Sequence, residues 1–280
     1  MAATPAENTL ITSKFSYRPL DKSDGIRLIY LLPALDAEAE VRCELIHTTL
    51  SNCTDIYEHY TALSYVWGDP IYAKTIWLDE TAILVTHNLF SALRDLRSDS
   101  RPLRIWADAI CINQQDDDEK LRQISMMGKI YSLADHTVIY LNFLNPQEAA
   151  KLDGCMSSNL DDWLSSNVDK SQFSADIAEL ILSHTWFRRV WVFQELVLSK
   201  DPRVQIGRHR FPWIALYRIV QSHRQPFTTG LRPLAASEGS RLHSEMHKAH
   251  QEHQKQERMR MKPGYLIPPQ LLVHIQRVRE

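Results

Sequence analysis

Hydrophobic residues recur along this chain with two periods, one typical of strands and one typical of helices, and the two alternate from residue 61 to residue 199. This alternation predicts an α/β domain with a parallel central sheet. The first 50 residues and a hairpin pattern are rich in strand signals, so we expect them to add a β-rich N-terminal edge to that sheet. The predicted strands are 17–32, 41–50, 61–67, 75–85 (as the hairpin), 103–112 and 136–141. One predicted helix begins at Asn88, and the others span 116–134, 174–184 and 188–199, followed by a short amphipathic segment at 211–220.

The segment from Leu103 to Ile112 is apolar on both alternating faces, which is typical of a strand covered on both sides. Asp108 interrupts it in its second half. An unpaired carboxylate is costly to bury, so Asp108 needs a partner or a place at the sheet edge. Ligands of open α/β sheets bind at the carboxyl ends of strands. Asp108 is therefore a candidate site residue, and a structural partner for it is the alternative.

The helix that follows carries its own start signal. Asp116 and Glu119 have the Asp-x-x-Glu spacing of a capping box, and acids in a first helical turn interact favourably with the helix dipole. The acidic run 116–119 could also bind a metal ion. Capping accounts for the same residues, so we expect no metal site there.

The predicted helix at 188–199 is apolar in nearly every direction, with only Gln194 and Glu195 polar between residues 190 and 198. A helix that is apolar all round is buried, so Glu195 is expected to be at least partly buried. Arg188, on nearly the same face, or Arg189 could pair with it. Glu195 is thus either half of a structural ion pair or a carboxylate that is catalytic or binds a ligand.

Composition narrows the class of protein. The chain has 280 residues, 44% hydrophobic and 24% charged, with a formal charge of −2. No apolar run is long enough for a membrane helix. Four cysteines without C-x-x-C spacing predict a reducing setting, cytosolic or nuclear, and we expect the protein in the cytoplasm. Residues 231–280 hold nine Lys/Arg and five Asp/Glu, which leaves an acidic body that argues against nucleic-acid binding.

We expect three regions along the chain. Residues 1–14 are predicted to be disordered, residues 15–225 to form the domain, and residues 226–280 to be a polar tail, partly disordered or helical. Residues 142–170 form an insertion rich in Ser, Asn and Asp. In the tail, His243, His247 and His250 share a helical face, but so polar a segment favours a solvated tail.

Three sequence blocks carry a family resemblance: YTALSYVWGDP at 60–70, RIWADAICINQQDDDEKLRQISMMGKIYSLADHTVIYL at 104–141 and WFRRVWVFQEL at 186–196. In this order and spacing they resemble the HET domain, the heterokaryon-incompatibility module of filamentous fungi, over roughly residues 17–200. The resemblance implies a signalling module that triggers cell death in non-self recognition. It also implies self-association or another signalling protein as partner. The acidic body and the lack of a long apolar run predict no nucleic acid and no membrane as partner, and we expect no required cofactor.

The HET domain is in turn similar to TIR domains, which implies a TIR/flavodoxin-like core with a helical insertion. TIR domains carry a W-C-x-x-E-L motif whose glutamate serves NAD cleavage in the enzymatic members. Residues 191–196 present Trp, Glu and Leu at that spacing, with Val192 in place of Cys. By this resemblance Glu195 is the candidate catalytic residue and NAD a possible substrate. A short non-enzymatic interaction protein derived from a larger HET protein remains the alternative.

The resemblance and the strand ends together define a set of candidate ligand-binding residues. They comprise Ser64, Trp67, Gly68, Asp69, Asp108, Asn113, Arg188 and Trp191. The chain lacks G-x-G-x-x-G and a P-loop, so ordinary dinucleotide or triphosphate sites are not expected. Cys111 is expected to be a small buried hydrophobic residue. Trp67, Trp106, Trp186 and Trp191 are expected to lie in the core.

Overall fold

In the computed structural model, which describes residues 15–55, 58–142, 147, 175–189, 191–224 and 238–260, nine strands form one mixed sheet. The predicted disordered segment at 1–14, most of the predicted insertion and both ends of the predicted tail (226–237 and 261–280) lie outside these residues. The strands are Gly25–Leu31 (β1), Arg42–Thr49 (β2), Thr61–Tyr65 (β3), Ala73–Leu78 (β4), Thr81–Thr86 (β5), Leu103–Trp106 (β6), His136–Tyr140 (β7), Pro202–Ile206 (β8) and His209–Pro212 (β9).

The sheet order is β5-β4-β2-β1-β6-β3-β7-β8-β9. Strands β6, β3, β7 and β8 are parallel to one another, as predicted for the core. Strand β1 is antiparallel to both β2 and β6, and with the hairpin β4–β5 these strands form the expected N-terminal edge. The α/β class is confirmed, but the sheet as a whole is mixed because both of its edges contain antiparallel pairs.

Helices and short turns connect these strands. The helices are His87–Leu96 (α1), Asp108–Cys111 (α2), Asp117–Leu133 (α3), Ala175–Ser183 (α4), Val192–Val197 (α5), Trp213–Arg224 (α6) and Glu238–Arg260 (α7). Short 3-10 turns lie at 52–54, 70–72 and 185–188. One apolar cluster surrounds β1–β6, α1 and α3, and a second lies among β7–β9 and α4–α7.

The strand predicted at 103–112 is wrong beyond residue 106. Strand β6 ends at Trp106, and Asp108 opens the one-turn helix α2, in which the Cys111 amide donates to the Ala107 carbonyl at 2.8 Å. A short, fully apolar run fits a buried turn of helix as well as a strand, so periodicity could not separate them. Asp108 nevertheless lies just past the carboxyl end of a strand. Cys111 is fully buried, as expected.

The predicted cap of α3 is confirmed only in part. The Asp116 carboxylate accepts a hydrogen bond from the Glu119 amide at 2.9 Å. The Glu119 carboxylate does not complete the capping box, because it forms a bidentate ion pair with Arg27 of β1 at 2.6 and 2.9 Å. The Asn113 amide also donates to Glu119 at 2.7 Å. This buried pair fastens α3 and the segment that precedes it to the sheet.

The predicted helix at 188–199 is shorter than expected. The 3-10 turn Thr185–Arg188 precedes helix α5, and α5 ends at Val197. Pro202 follows the end of this helix and begins β8, where a missing backbone N–H costs little because it is the first residue of the strand.

The interpretation of the C-terminal region as a solvated tail is wrong for the described helix α7. This helix packs against α4, α5 and α6 and buries His243, Met246 and His247. The imidazole of His247 stacks on Tyr217 with ring centroids 3.5 Å apart. A neutral imidazole can be buried as a flat aromatic ring, which composition alone does not reveal. None of the described helices is long and apolar enough to cross a membrane.

Candidate functional site

A cleft of about 430 Å³ opens beyond the carboxyl ends of β3 and β6, between the start of α3 and the start of α5. Its position agrees with the general rule for ligand sites in α/β sheets. Its volume lies in the range of small-molecule sites. The cleft is lined by Val66, Trp67, Gly68, Asp108, Ile112, Gln114, Lys120, Ile124, Met127, Arg189, Trp191 and Glu195.

Glu195 lies on the first turn of α5 and contributes to the cleft wall, although only 1% of the residue is exposed to solvent. The Ser64 hydroxyl, at the end of β3, donates a hydrogen bond to its carboxylate. The Arg189 guanidinium lies 3.4 Å from both carboxylate oxygens. The predicted ion pair therefore exists with Arg189, whereas Arg188 is exposed.

Burial raises the pKa of Glu195 above its ordinary value, and the charge of Arg189 and the hydrogen bond from Ser64 oppose that shift. The carboxylate is thus held in a site that disfavours its charge, with only part of the cost offset. Groups of this kind concentrate at functional sites because a perturbed carboxylate can exchange protons or stabilise developing positive charge.

Asp108 provides a second carboxylate to the same cleft. Its side chain accepts hydrogen bonds from the indole N–H of Trp67 at 2.9 Å and from the Ala109 amide at 2.8 Å. Burial raises the pKa of Asp108, and the bond from Trp67 opposes the shift. Asp108 therefore has structural partners and also lines the cleft, so both interpretations made from the sequence describe part of its environment.

Two tryptophans border the cleft. Trp67 is 42% exposed and Trp191 is 41% exposed, so the expectation that they lie in the core is wrong. Trp106 and Trp186 are fully buried, as expected. The exposure of these two side chains follows from their positions in the chain, since Trp67 lies in the loop after β3 and Trp191 in the turn before α5. Large aromatic faces beside two carboxylates and a guanidinium suit a ligand with a flat ring and polar groups.

Asn88 holds the loop after β3 in place, although the sequence predicted for it only the start of a helix. The Asn88 amide donates to the Val66 carbonyl at 2.9 Å and accepts from Asn142 at 3.0 Å. Gly68 adopts φ +80°, and a Cβ there would lie 2.9 Å from the Asn88 amide nitrogen. The loop that carries Trp67 thus requires glycine for both conformation and space.

Four predicted site residues do not line the cleft. Asp69 is exposed and caps the 3-10 turn at 70–72 by accepting from the Ile71 amide at 2.9 Å. Asn113 accepts from the Gln115 amide at 3.2 Å and supports the segment before α3. Arg188 is exposed, and its neighbour Arg189 lies in the cleft in its place. Ser64 lies behind Glu195 and supports it from the sheet.

The described residues contain no group of three or more His, Cys, Asp or Glu side chains arranged to hold a metal ion. Of the acidic run at 116–119, Asp116 caps α3 and Glu119 pairs with Arg27. The cleft lining itself offers carboxylates, a guanidinium, an ammonium group and aromatic rings.

The sequence of this cleft-forming region matches a known family. A family model described as Heterokaryon incompatibility protein (HET) covers residues 60–195. This segment is a HET domain. The resemblance carried by the three sequence blocks is therefore confirmed. Every residue that lines the cleft lies within the HET domain, and Glu195 is its last matched position.

A curated relative extends the similarity. Heterokaryon incompatibility protein 6, OR allele, from Neurospora crassa is 28% identical to this chain, over 67% of the chain and 34% of the relative. The match thus takes in about a third of the relative's length. No solved structure matches the chain, so the TIR-like core expected from the HET resemblance stays a prediction.

Proposed function

We propose that this chain is a cytoplasmic signalling module of heterokaryon incompatibility that triggers cell death after non-self recognition, with the cleft around Glu195 as its functional site. The observation that carries the proposal is the coincidence of the cleft with the HET domain, since all twelve lining residues fall between positions 60 and 195. The similarity to heterokaryon incompatibility protein 6 supports the same role.

The energetics of Glu195 support a functional cleft. A carboxylate whose pKa is raised by burial costs stability at neutral pH, because the unfolded chain solvates the charge better. A leucine or methionine could fill the same volume without that cost. The cost is understandable if the charged group acts on a ligand or a partner in the cleft.

We propose that the signal passes through protein contacts, either between copies of this chain or with another signalling protein. Trp67 and Trp191 are large, partly exposed aromatic residues on the rim, and aromatic residues are enriched at the centres of protein interfaces. A ligand in the cleft would lie against the same two rings. Occupancy of the cleft could therefore change the surface that a partner meets.

The role is tested by inducible expression of the full chain in a filamentous fungus, with cell viability measured by exclusion of a vital dye. Gly68→Ala should reduce killing, because the new Cβ would push on Asn88 and displace the loop that carries Trp67. Gly207→Ala is the matched control, since that glycine also has positive φ (+56°) but has open space around its Cβ position. Equal killing by both variants at equal protein level, or no killing by the unmodified chain, would contradict the proposal.

A second candidate function is cleavage of NAD by a TIR-like domain that needs no cofactor. Three features favour it: a buried carboxylate in the cleft wall, the tryptophans at its rim, and the resemblance of residues 191–196 to the W-C-x-x-E-L motif. Water would add to C1′ of the ribose as the bond to nicotinamide breaks; neutral nicotinamide would leave with the bonding electron pair, and the added water would release one proton to solvent. Glu195 would stabilise the positive charge on the sugar, as carboxylates do in glycoside hydrolysis.

Incubation of the purified chain with NAD, followed by chromatography for free nicotinamide, tests this second candidate. Release that is lost in Glu195→Gln would support it. No release by a preparation that kills cells on expression would leave an interaction module without enzymatic activity.

A further inference from the structure

Three buried side chains from distant parts of the sequence form a hydrogen-bonded chain that ends at Glu195. The indole N–H of Trp186 donates to the Ser64 hydroxyl oxygen at 2.7 Å, and the Ser64 hydroxyl donates to the Glu195 carboxylate. Each of the three residues is at most 1% exposed, so water does not compete for these bonds. The Trp186–Ser64 contact lies outside the cleft, and the proposed function does not use it.

The donor and acceptor in each of these two hydrogen bonds follow from the groups that take part. An indole N–H can only donate, an ionised carboxylate can only accept, and a hydroxyl has one proton and two lone pairs. We propose that Trp186 is a positioning residue that acts through Ser64: its N–H occupies one lone pair of the hydroxyl and commits the hydroxyl proton to Glu195. We call Trp186, Ser64 and Glu195 with these two hydrogen bonds the relay. Its relevance to cell death rests on the proposed function, whereas its effect on Glu195 is independent of that function.

The relay favours the ionised form of Glu195. If the carboxyl group took up a proton, the Ser64 hydroxyl would donate to a neutral oxygen while Trp186 still occupied one of its lone pairs. A hydrogen bond to a charged acceptor is about twice as strong as one to a neutral acceptor, so protonation would weaken this bond. The Arg189 contacts are 3.4 Å long, beyond the usual range of about 2.7–2.9 Å for charge-assisted hydrogen bonds. Ser64 is therefore the closest donor that holds the carboxylate, and Trp186 determines how Ser64 is used.

The pKa of Glu195 can be measured in the full chain by carbon NMR of labelled glutamate carboxyl groups, with the resonance assigned from its absence in Glu195→Gln. Trp186→Phe removes the indole N–H and keeps an aromatic ring, so the Glu195 pKa should change by about one unit, a roughly tenfold change in proton affinity. The direction expected is upward, because the hydroxyl proton is no longer committed to the carboxylate.

The matched control is Trp213→Phe. Trp213 is 1% exposed, its ring centroid lies 6.1 Å from that of Trp186, and its indole N–H makes no hydrogen bond within the described residues. This variant should leave the Glu195 pKa unchanged while losing a similar amount of packing. Equal shifts in the two phenylalanine variants would overturn the proposal, since packing would then explain both.

A double variant tests whether Trp186 acts through Ser64. Ser64→Ala should raise the Glu195 pKa by itself, and adding Trp186→Phe should then produce no further rise. Additive shifts would show that Trp186 acts by another route and would refute the relay. If Ser64→Ala does not fold, the comparison of Trp186→Phe with Trp213→Phe still decides the question. Because the titration needs no cell-death readout, failure of the relay and failure of the proposed function are distinguishable.

Discussion

The buried ion pair between Arg27 and Glu119 should be one of the largest single contributions to the integrity of the cleft. Arg27 is fully buried in β1, and the Glu119 side chain is 3% exposed. Glu119 accepts two hydrogen bonds from Arg27 and one from the Asn113 amide, and Arg27 also donates to the carbonyls of Cys111 and Arg18. The pair therefore ties the segment between α2 and α3 to the sheet.

The size of each destabilisation follows from the buried charge that the substitution leaves without its partner. Glu119→Ala would leave a buried guanidinium with only two carbonyl acceptors, and breaking a buried pair in this way costs about 3–5 kcal/mol. Arg27→Met should cost a comparable amount, because the Glu119 charge would keep only one strong donor. The double variant Arg27→Met/Glu119→Leu leaves no buried charge, so it should recover most of the loss.

Urea unfolding followed by tryptophan fluorescence measures these differences. With a typical urea slope of about 2–3 kcal/mol per molar, each single variant should lower the unfolding midpoint by about 1–2.5 M. The pKa of Glu119 is lowered in the folded state, because the bonds from Arg27 and Asn113 outweigh the opposing effect of burial. The stabilisation of the fold by Glu119 is therefore fully present above the pKa that this residue has in the unfolded chain, and it is lost as the pH falls through the lower pKa of the folded state. Additive losses in the double variant, or single losses below about 1 kcal/mol, would refute the reasoning.

Three further predictions concern the two apolar clusters. Trp106→Ala should destabilise the fold by about 3–5 kcal/mol, and unchanged urea unfolding would contradict the central position of β6. Removal of residues 238–280 should lower the melting temperature, because helix α7 buries Met246 against the domain; an unchanged melting temperature would show that this packing adds nothing. Burial lowers the pKa of His247 from 6.5 to about 4. The stability that α7 gains from packing should therefore be complete above pH 6.5 and decrease as the pH falls toward 4. Hydrogen exchange in α7 that is equally slow, after correction for intrinsic rates, at about pH 7 and about pH 4.5 would contradict this last prediction.

Hydrophobic periodicity predicted the parallel strands, the hairpin and helix α3, because each repeats its pattern over a whole element. It missed the end of β6 at Trp106, since four residues of buried helix and four of buried strand look alike in sequence. It also missed β8 and β9, which are short and contain Arg203 and Arg210. The composition of helix α7 predicts a solvated segment because its buried face uses histidines where aliphatic residues are usual.

The candidate site was predictable where a residue broke a strong pattern. Glu195 and Asp108 stood out as carboxylates within apolar runs, and both line the cleft. The partners were harder to predict because they depend on tertiary contacts. Trp186 lies 122 residues from Ser64 in sequence, and only the fold brings its N–H to the hydroxyl. The choice of Arg189 over Arg188 depends on the backbone turn before α5, which the longer predicted helix did not include.

The most direct test of the central claim compares wild type with Glu195→Gln for cell killing on expression, with Glu44→Gln on the exposed face of β2 as the matched control. Glutamine is nearly the same size, can still accept the bond from Ser64 and removes the cost of the buried charge, so the melting temperature should not fall. The account predicts that folded Glu195→Gln at wild-type abundance no longer kills, while Glu44→Gln still does. Killing by folded Glu195→Gln at the wild-type level would contradict a functional role for this carboxylate.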